Sequence, residues 1–337
     1  MIKQRGLALV MVLWVLSLLT IMAGSFALNM RREASITAGI KNNALALAVA
    51  ESGIAIAELM LLNPDQNKRW RTDGSIYEII TNDAKVRVRL LSEAGKIDIN
   101  KVDQILLEAL IANVPSVAEQ KSKIVGAILD WRDADDLVHS DGAEKKEYKE
   151  AGLSYQPRNK PFQTLEELQL VLGMNEAAFL QIEPLITIYS GQSTVIEQLA
   201  AKEVLQIIPG LEANLIDSYI TARLDSAINN LPAPKFPVSS VQSITAGQPI
   251  AGGQVTTSGQ ASALTLISEA LLNNESSAVI SVVIKQTDPV ASQNTTSLQS
   301  PFQVLKWQQV MAHNRSLFVD AMSEFLIKQY AEPELNN

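Results

Sequence analysis

An uncharged apolar segment near the N-terminus constrains the fold of this chain more than any other feature. Lys3 and Arg5 precede it, it runs over residues 7–28 without a charge, and Arg31 and Arg32 follow it. A helix of about 22 residues rises about 33 Å, enough to cross the hydrocarbon core of a bilayer. A cleaved secretory signal peptide has a shorter apolar run of about 7–15 residues. A membrane anchor is therefore favoured, with its orientation left open because basic residues flank both ends.

The helical pattern continues well beyond the apolar segment. Residues 29–62 contain no proline and are rich in alanine and leucine, and Asn63-Pro64 follows them. Proline cannot continue a helix, so one helix is predicted over Leu7–Leu62, about 84 Å long. Half of it would lie in lipid and half would pack on a soluble head. A coiled-coil stalk is the alternative, but the heptads are not sustained.

The composition argues against several classes of function. The 337 residues include 28 basic and 36 acidic side chains, for a net charge of −8, whereas nucleic-acid binders are usually basic. There is no cysteine, and the two histidines, His139 and His313, are far apart in sequence. Disulfides and thiol nucleophiles are thus excluded, and most histidine-based hydrolytic sites are disfavoured. We expect the chain not to be an enzyme.

Strand patterns occur at both ends of the soluble part. Residues 85–91 alternate basic and apolar side chains, and residues 76–80 are a further candidate strand. Strand patterns return at 278–286 and 302–310, whereas residues 95–223 are almost purely helical in character. An α+β fold is predicted, in which an all-α domain is inserted into a small antiparallel sheet.

The helical region contains a weak internal repeat with a turn at Pro209-Gly210-Leu211. Two short helices joined by such a turn resemble a helix-hairpin-helix motif, of the SAM-like all-α class. This leaves an alternative function, a membrane-anchored DNA-binding protein of the competence type. Glu212 and Asp217 follow the turn, and only Arg223 is a nearby cation. Phosphate binding needs cationic side chains, so no nucleic-acid partner is expected.

The densest cluster of charged residues lies between the two halves of the repeat. Residues 130–150 contain eight acidic and four basic side chains. Hard oxygen donors crowded in a loop suit Ca²⁺, which takes about six to eight of them. An EF-hand loop is excluded because Leu137 and Val138 occupy positions that need an oxygen donor and a glycine. A solvated acidic loop without metal remains the alternative.

The tetrad Gln4-Arg5-Gly6-Leu7 resembles the leader of type IV prepilins. This resemblance implies that prepilin peptidase cleaves between Gly6 and Leu7 and that Leu7 becomes the methylated N-terminus. Cleavage would remove Lys3 and Arg5 and change the net charge from −8 to −10. Most pilins carry a glutamate at the fifth mature position, where this chain has Met11. A subunit at the filament tip has no ammonium group above it for that glutamate to neutralise.

Four further segments resemble the minor pseudopilin K family of type II secretion, the general secretion pathway protein K family. The resemblance implies a structural protein at the tip of the pseudopilus, which supports export of folded proteins across the outer membrane. The segments are Ile128 to Asp136, Gly142-Ala143-Glu144 with Tyr148, Asn159-Lys160-Pro161-Phe162, and Glu166-Glu167-Leu168 to Gly173-Met174.

The same resemblance implies a location, partners and a metal. The chain would be a single-pass protein of the inner membrane with its head in the periplasm. Its partners would be the I-type and J-type minor pseudopilins, the inner-membrane assembly platform and prepilin peptidase. The family binds calcium near the acidic run, which implies a structural Ca²⁺ here. The expected ligands are Asp133, Asp136 and Glu144, with Asp135, Asp141 and Asn159 as additions.

The predicted organisation divides the chain into six parts. Residues 226–262, rich in Ser, Gln, Gly, Pro and Ala, are predicted as a linker, and Arg315–Ala331 as a final amphipathic helix docked on the sheet. The divisions are the leader 1–6, the transmembrane part 7–28, the first pilin-like part 29–94, the insert 95–225, the linker 226–262 and the second pilin-like part 263–337.

Overall fold

The structure, a computed structural model, describes residues 7–114, 120–237, 263–287, 300–310 and 316–327. Its helices are α1 (Leu7–Leu61), α2 (Gln104–Ala112), α3 (Lys121–Arg132), α4 (Lys145–Glu150), α5 (Glu176–Ile182), α6 (Lys202–Leu205) and α7 (Ala213–Ile228). Its strands are β1 (Asp73–Ile80), β2 (Ala84–Ser92), β3 (Ile97–Asp98), β4 (Ile186–Thr187), β5 (Ala263–Leu272), β6 (Ser277–Gln286), β7 (Phe302–Val310) and β8 (Leu326–Ile327).

The predicted long helix is confirmed and ends one residue early. Its C-terminal half packs on the sheet through a narrow stripe of buried residues that includes Ala46, Ala50 and Ala57. Gly53 lies in the same stripe, and a Cβ there would stand 2.3 Å from Oγ of Ser268, so the helix backbone approaches the sheet closely. The apolar half is exposed, and by length and composition α1 can cross a membrane.

The predicted α+β architecture with an insertion is confirmed, but the insert is not all-α, because β3 and β4 form a short parallel pair within it. Six strands form one sheet in the order β7-β6-β5-β2-β1-β8, antiparallel except for the short β1–β8 pair. β2 and β5 are neighbours over nine residue pairs, although the whole insert separates them in sequence. Alternate side chains of β2 face opposite ways, so Val86 and Val88 contact the α1 side and Arg89 faces the insert.

The predicted final helix is wrong within the part of Arg315–Ala331 that the structure describes. A 3-10 turn over Asp320–Phe325 leads into β8, which pairs with β1. Leu317 is fixed on the sheet, since Arg87 donates a 2.9 Å hydrogen bond to its carbonyl and its backbone N–H donates to Glu269. These contacts between distant segments compete with helix formation, and the amphipathic pattern of the segment does not reveal them.

The predicted linker begins about a dozen residues too early, because its first residues are folded. α7 continues through Ile228, and Phe236 is buried edge-to-face on Tyr219, with ring centroids 4.7 Å apart. The first dozen residues of the 226–262 segment are therefore part of the folded insert, and residues 238–262 lie outside the described residues.

Buried polar contacts hold the insert against the sheet. Glu93 accepts a 2.7 Å hydrogen bond from Lys96 and also bonds the hydroxyls of Thr187 and Thr265. Arg223 lies 3.4 Å from Asp73 at the other side of the junction, with both side chains nearly inaccessible. Because buried charges are stable only when paired, these contacts fix the insert in one position.

Candidate metal centre

The predicted acidic site lies where α3 ends and the chain folds back on it. α3 buries its apolar face in the insert, and Trp131 in its last turn stacks on Phe162 with ring centroids 5.9 Å apart. Arg132 fixes the end of the helix by donating 2.6 Å hydrogen bonds to the carbonyls of Ile99 and Val102. The loop after α3 then returns to the start of α4.

Asp130 is the most deeply buried acid of this region. Its side chain is 0% exposed. It lies on α3, and the loop that follows this helix folds back over it. Oδ1 accepts a 3.0 Å hydrogen bond from the backbone N–H of His139 and lies 2.5 Å from Nδ1 of the same residue. Oδ2 has no hydrogen-bond partner within the described part of the chain. A buried carboxylate oxygen without a partner is costly, so it marks a place for a cation.

Glu144 contributes a second carboxylate from the opposite side of the loop. It precedes α4, is 5% exposed, and its Oε1 is unpaired among the residues the structure covers. Burial raises its pKa to about 7, and the charges of Asp130, Asp133 and Asp136 add to that rise. Carboxylates crowded in this way favour protonation unless a cation compensates them.

Asp133 and His139 complete the inner cluster. Oδ2 of Asp133 lies 3.4 Å from Nδ1 of His139, and Oδ1 is buried with no partner in the described ranges. Burial is the main cause that raises the pKa of Asp133, and the neighbouring charge of Asp135 adds to it. One ligand atom each from Asp130, Asp133 and His139 lies within 4.8 Å of the others.

Two glycines allow the loop to pack directly on α3. A Cβ at Gly142 would lie 2.1 Å from Oδ2 of Asp130. A Cβ at Gly126 would lie 2.7 Å from the backbone of Gly142. Any side chain at either position would push the loop away from the helix. These glycines therefore determine how close the loop comes to the buried carboxylate.

The structure brings some of the predicted ligands together and not others. Asp133 lies in one group with Asp130 and His139, whereas Glu144 is related to this group through the charges of Asp130, Asp133 and Asp136, which raise its pKa. Oδ1 of Asp136 accepts a 2.9 Å hydrogen bond from Asn159. Asp135 instead caps its own turn by accepting from the backbone N–H of Leu137 at 2.9 Å. Asp141 has φ +60° in the turn in which the backbone N–H of Gly142 donates to the carbonyl of His139.

Sequence reasoning missed Asp130 and His139 as site residues. Asp130 was part of the acidic run but stood on a helix, where an exposed position was equally compatible with the pattern. The sequence gives no reason to place His139 in a metal site, since the other histidine, His313, is far away in the chain. The nine-residue separation of the two matches no metal-binding spacing, and only the fold-back of the loop brings them into contact.

The chemistry of these side chains fits a divalent cation. Asp130, Asp133 and Glu144 each offer a buried oxygen that has no partner among the described residues. Asp136 offers a further carboxylate, one oxygen of which accepts a hydrogen bond from the side-chain amide of Asn159. This donor set agrees with Ca²⁺, which prefers carboxylate and amide oxygens.

The hairpin turn of the insert offers no comparable ligand site. Pro209-Gly210-Leu211 connects α6 to α7, with Gly210 at φ +84°. The nearby cation, Arg223, is buried, donates to the carbonyl of Ala200 at 2.7 Å and lies close to Asp73. It is therefore directed into the junction with the sheet and away from solvent.

The N-terminal processing residues fall at the edge of the described chain. Gly6 lies outside the described residues, and Leu7 is the first residue of α1. The cleavage site thus remains a prediction from the sequence.

This fold is that of a pilin-like protein. One half of a long helix is apolar and exposed, the other half packs on an antiparallel sheet, and a helical domain is inserted into that sheet. Residues 84–191 match the family model of type II secretion system (T2SS), protein K. This match confirms the resemblance found in the sequence motifs, and it contains the candidate metal centre.

Two proteins and one solved structure are similar to this chain. Type II secretion system protein K of Klebsiella pneumoniae is 24% identical over 205 residues, which cover 55% of this chain and 62% of that protein. Type II secretion system protein K of Aeromonas hydrophila is 24% identical over 212 residues, covering 55% and 63%. The matches thus span less than two thirds of either relative. In the crystal structure of the GspK-GspI-GspJ complex of enterotoxigenic Escherichia coli, a chain is 18% identical, with a TM-score of 0.46, covering 84% of this chain and 99% of that one.

Proposed function

We propose that this chain is a structural, non-catalytic minor pseudopilin at the tip of a type II secretion pseudopilus, where it supports export of folded proteins across the outer membrane. One observation carries the proposal. A single helix of 55 residues, α1, combines an exposed apolar half with a half that packs on the head, and the head contains a protein K domain. A plain membrane anchor would not need to continue as the spine of the folded head.

Processing and location follow from the same proposal. Prepilin peptidase cleaves between Gly6 and Leu7, Leu7 is methylated, and the assembly platform of the inner membrane takes up the subunit with its head in the periplasm. N-terminal sequencing of the membrane-extracted protein tests this step. The expected first residue is a methylated Leu7, and Gly6→Val should leave the leader attached. An N-terminus at any other residue would contradict the pseudopilin proposal.

The tip position rests on two features. Met11 stands at the fifth mature position, so α1 brings no carboxylate into the bilayer to pair with a subunit above it, and a buried unpaired charge would be costly there. The insert adds a complete helical domain to the head beside β2 and β5. Such bulk is easier to accommodate at the end of a filament than within its shaft.

The free face of α1 is suited to a helical partner. It lies opposite the stripe that packs on the sheet, and its residues recur at alternating intervals of three and four, the spacing of a helix–helix seam. Such a seam fits the N-terminal helices of the I-type and J-type minor pseudopilins, which we propose as partners. Its exposed residues are Leu45, Ala48, Ser52, Ala55 and Leu59, and Leu62 continues the spacing directly after the helix.

Co-isolation of the partner pseudopilins tests this surface. Leu59 is 55% exposed on the seam, so Leu59→Arg should reduce recovery of both partners by placing a charge in the helix contact. Leu170 is 43% exposed on the insert, and Leu170→Arg is the matched control. Equal recovery with both variants would exclude the seam as the contact.

We also propose a structural Ca²⁺ at the acidic site, which would hold the loop against α3. Asp133, Asp136 and Glu144 are the proposed ligands, and Asp130 is added to them. Asn159, which donates to Asp136, is proposed as a further ligand through its amide oxygen. Asp135 and Asp141 remain outer candidates. A ligand that binds only the folded state stabilises it, so millimolar Ca²⁺ should raise the melting temperature of the full chain. An unchanged melting temperature would reject the site.

A further inference from the structure

We infer that the outer edge of β7 binds an extended, uncharged strand of another polypeptide, whose alternate side chains enter a cavity between the sheet and the insert. This surface is separate from the seam on α1 and from the acidic site, and the inference does not depend on the pseudopilin role.

The edge of the sheet at β7 is open. β7 is the last strand of the six-stranded sheet, and within the described residues it pairs only with β6. The backbone N–H and C=O groups on its other side are therefore free to pair with a further strand. Proteins usually block such an edge with proline or free lysine. β7 contains no proline, and its one charged residue, Lys306, is held 2.6 Å from Glu166.

A cavity of about 830 Å³ lies beside this edge, between the sheet and the insert. Three residues of β7 line it, Leu305, Lys306 and Gln308. Leu305 is the extra residue of a bulge opposite β6, and the bulge directs both Leu305 and Lys306 to the cavity side. Cavities of about 300–1,000 Å³ are typical of ligand pockets. A strand added to β7 would place every second side chain at this cavity.

The opposite face of β7 offers a second apolar contact. Val304 lies opposite Ile284 and Trp307 lies opposite Val282, and both partners belong to the core cluster under α1. Directly opposite residues share a face of the sheet, so Val304 and Trp307 lie on the α1 face. They are 51% and 48% exposed. The remaining side chains of an added strand would cover them.

The charges around the cavity favour an uncharged strand. The three cations that line it are each paired with a carboxylate: Arg89 with Glu203 at 3.0 Å, Lys96 with Glu93 at 2.7 Å and Lys306 with Glu166 at 2.6 Å. A charged side chain would have to compete with these pairs, which is costly away from water. An apolar side chain would instead pack on Leu91, Ile267 and Val283 in the wall of the cavity. Main-chain pairing combined with pockets for alternate side chains is a known mode of peptide recognition.

Hydrogen–deuterium exchange of the full chain in detergent tests the inference. The probe is an end-blocked peptide of nine residues, the length of β7, in which Thr and Leu alternate. Bound peptide should slow exchange over Phe302–Val310, because open amides of the edge become hydrogen-bonded. The same peptide N-methylated at every residue keeps its side chains but cannot donate to the edge, so it should not bind.

Substitutions in the chain test the two faces separately, with the affinity measured by fluorescence polarisation of the labelled peptide. Trp307→Lys should weaken binding at least about tenfold by removing an apolar contact and adding a charge to the edge. Ser281→Leu, on β6, should also weaken binding by filling part of the cavity that Ser281 lines. Ile105→Lys is the matched control, because Ile105 is 65% exposed on α2, away from the cavity, and this variant should bind as the unaltered chain does. Circular dichroism checks that all three variants are folded.

Protection of β7 that requires the peptide amides, and that Trp307→Lys reduces and Ile105→Lys does not, supports the inference. Equal binding of the N-methylated peptide, protection at another element, or no binding at millimolar peptide overturns it. Protection of β7 that rises with protein concentration before peptide is added also overturns it, since a second copy of the chain then occupies the edge. Slow exchange of every β7 amide in the dilute free chain does the same, because the chain itself then covers the edge.

Discussion

Replacement of Glu144 by glutamine tests the electrostatic cost of the acidic site without a cation. The pKa of Glu144 is raised from 4.5 to about 7 by burial and by the surrounding aspartates. Between these two values the folded chain binds more protons than the unfolded chain, so the free energy of unfolding falls as the pH rises. One pKa unit corresponds to about 1.4 kcal/mol, and the whole shift therefore to about 3 kcal/mol.

The expected result is a difference in pH dependence. In the presence of a chelator, the wild-type head should lose up to about 3 kcal/mol more stability than Glu144→Gln between about pH 4.5 and about pH 7. Urea denaturation followed by tryptophan fluorescence measures this, since Trp131 is buried beside the site. Glu150→Gln is the matched control, because Glu150 ends the short helix α4 that Glu144 precedes and 65% of its side chain is exposed.

Added Ca²⁺ should remove most of the difference by neutralising the cluster in the wild type. The glutamine variant should respond less, since it has lost a proposed ligand. If wild type and Glu144→Gln show the same pH dependence with and without Ca²⁺, then Glu144 is not held in an anionic cluster and the argument for a cation at this place fails.

Three further substitutions test the packing of the head, each by urea denaturation. Gly53→Ala should destabilise the head by about 1–3 kcal/mol, because the new Cβ would overlap Oγ of Ser268. The control Gly39→Ala places its Cβ where nothing lies within 4 Å and should not destabilise it. Equal denaturation midpoints for the two variants would contradict the close approach of helix and sheet. Trp131→Ala should cost about 3–5 kcal/mol by leaving a large cavity in the insert, and a loss below 1 kcal/mol would show that the ring is not a core residue. Arg223→Ala should cost about 3–5 kcal/mol, since it leaves a buried aspartate without its cation, and an unchanged midpoint would mean that this ion pair does not hold the junction.

The parts of the fold that depend on local patterns were predictable from the sequence. The helix α1, the strands β1 and β2, and the late strands β6 and β7 all show the spacing of their kind, and each is present within a few residues of its predicted bounds. β5 was missed because both of its faces are buried in the sheet, which removes the alternation that marks a strand. Long-range contacts likewise decided the conformation of the last described segment.

The candidate site was predictable only in outline. A crowded acidic run indicated a cation site, but which of its members converge depends on the loop folding back on α3. That fold-back needs two glycines facing each other, Gly126 and Gly142, sixteen positions apart in sequence. Nothing in the local pattern distinguishes the inward carboxylate of Asp130 from the outward one of Asp135.

The pairing of β2 with β5 has a consequence for the order of folding. Ser92 lies opposite Leu264, so the sheet cannot form until a loop of residues 93–263 has closed. Closing a flexible loop of about 170 residues costs about 4–5 kcal/mol of chain entropy. A prefolded insert leaves only about 25 residues between its end and β5 to close, which lowers this cost by about 1.5–2 kcal/mol. The helical domain should thus form first and act as a template on which the two strands meet.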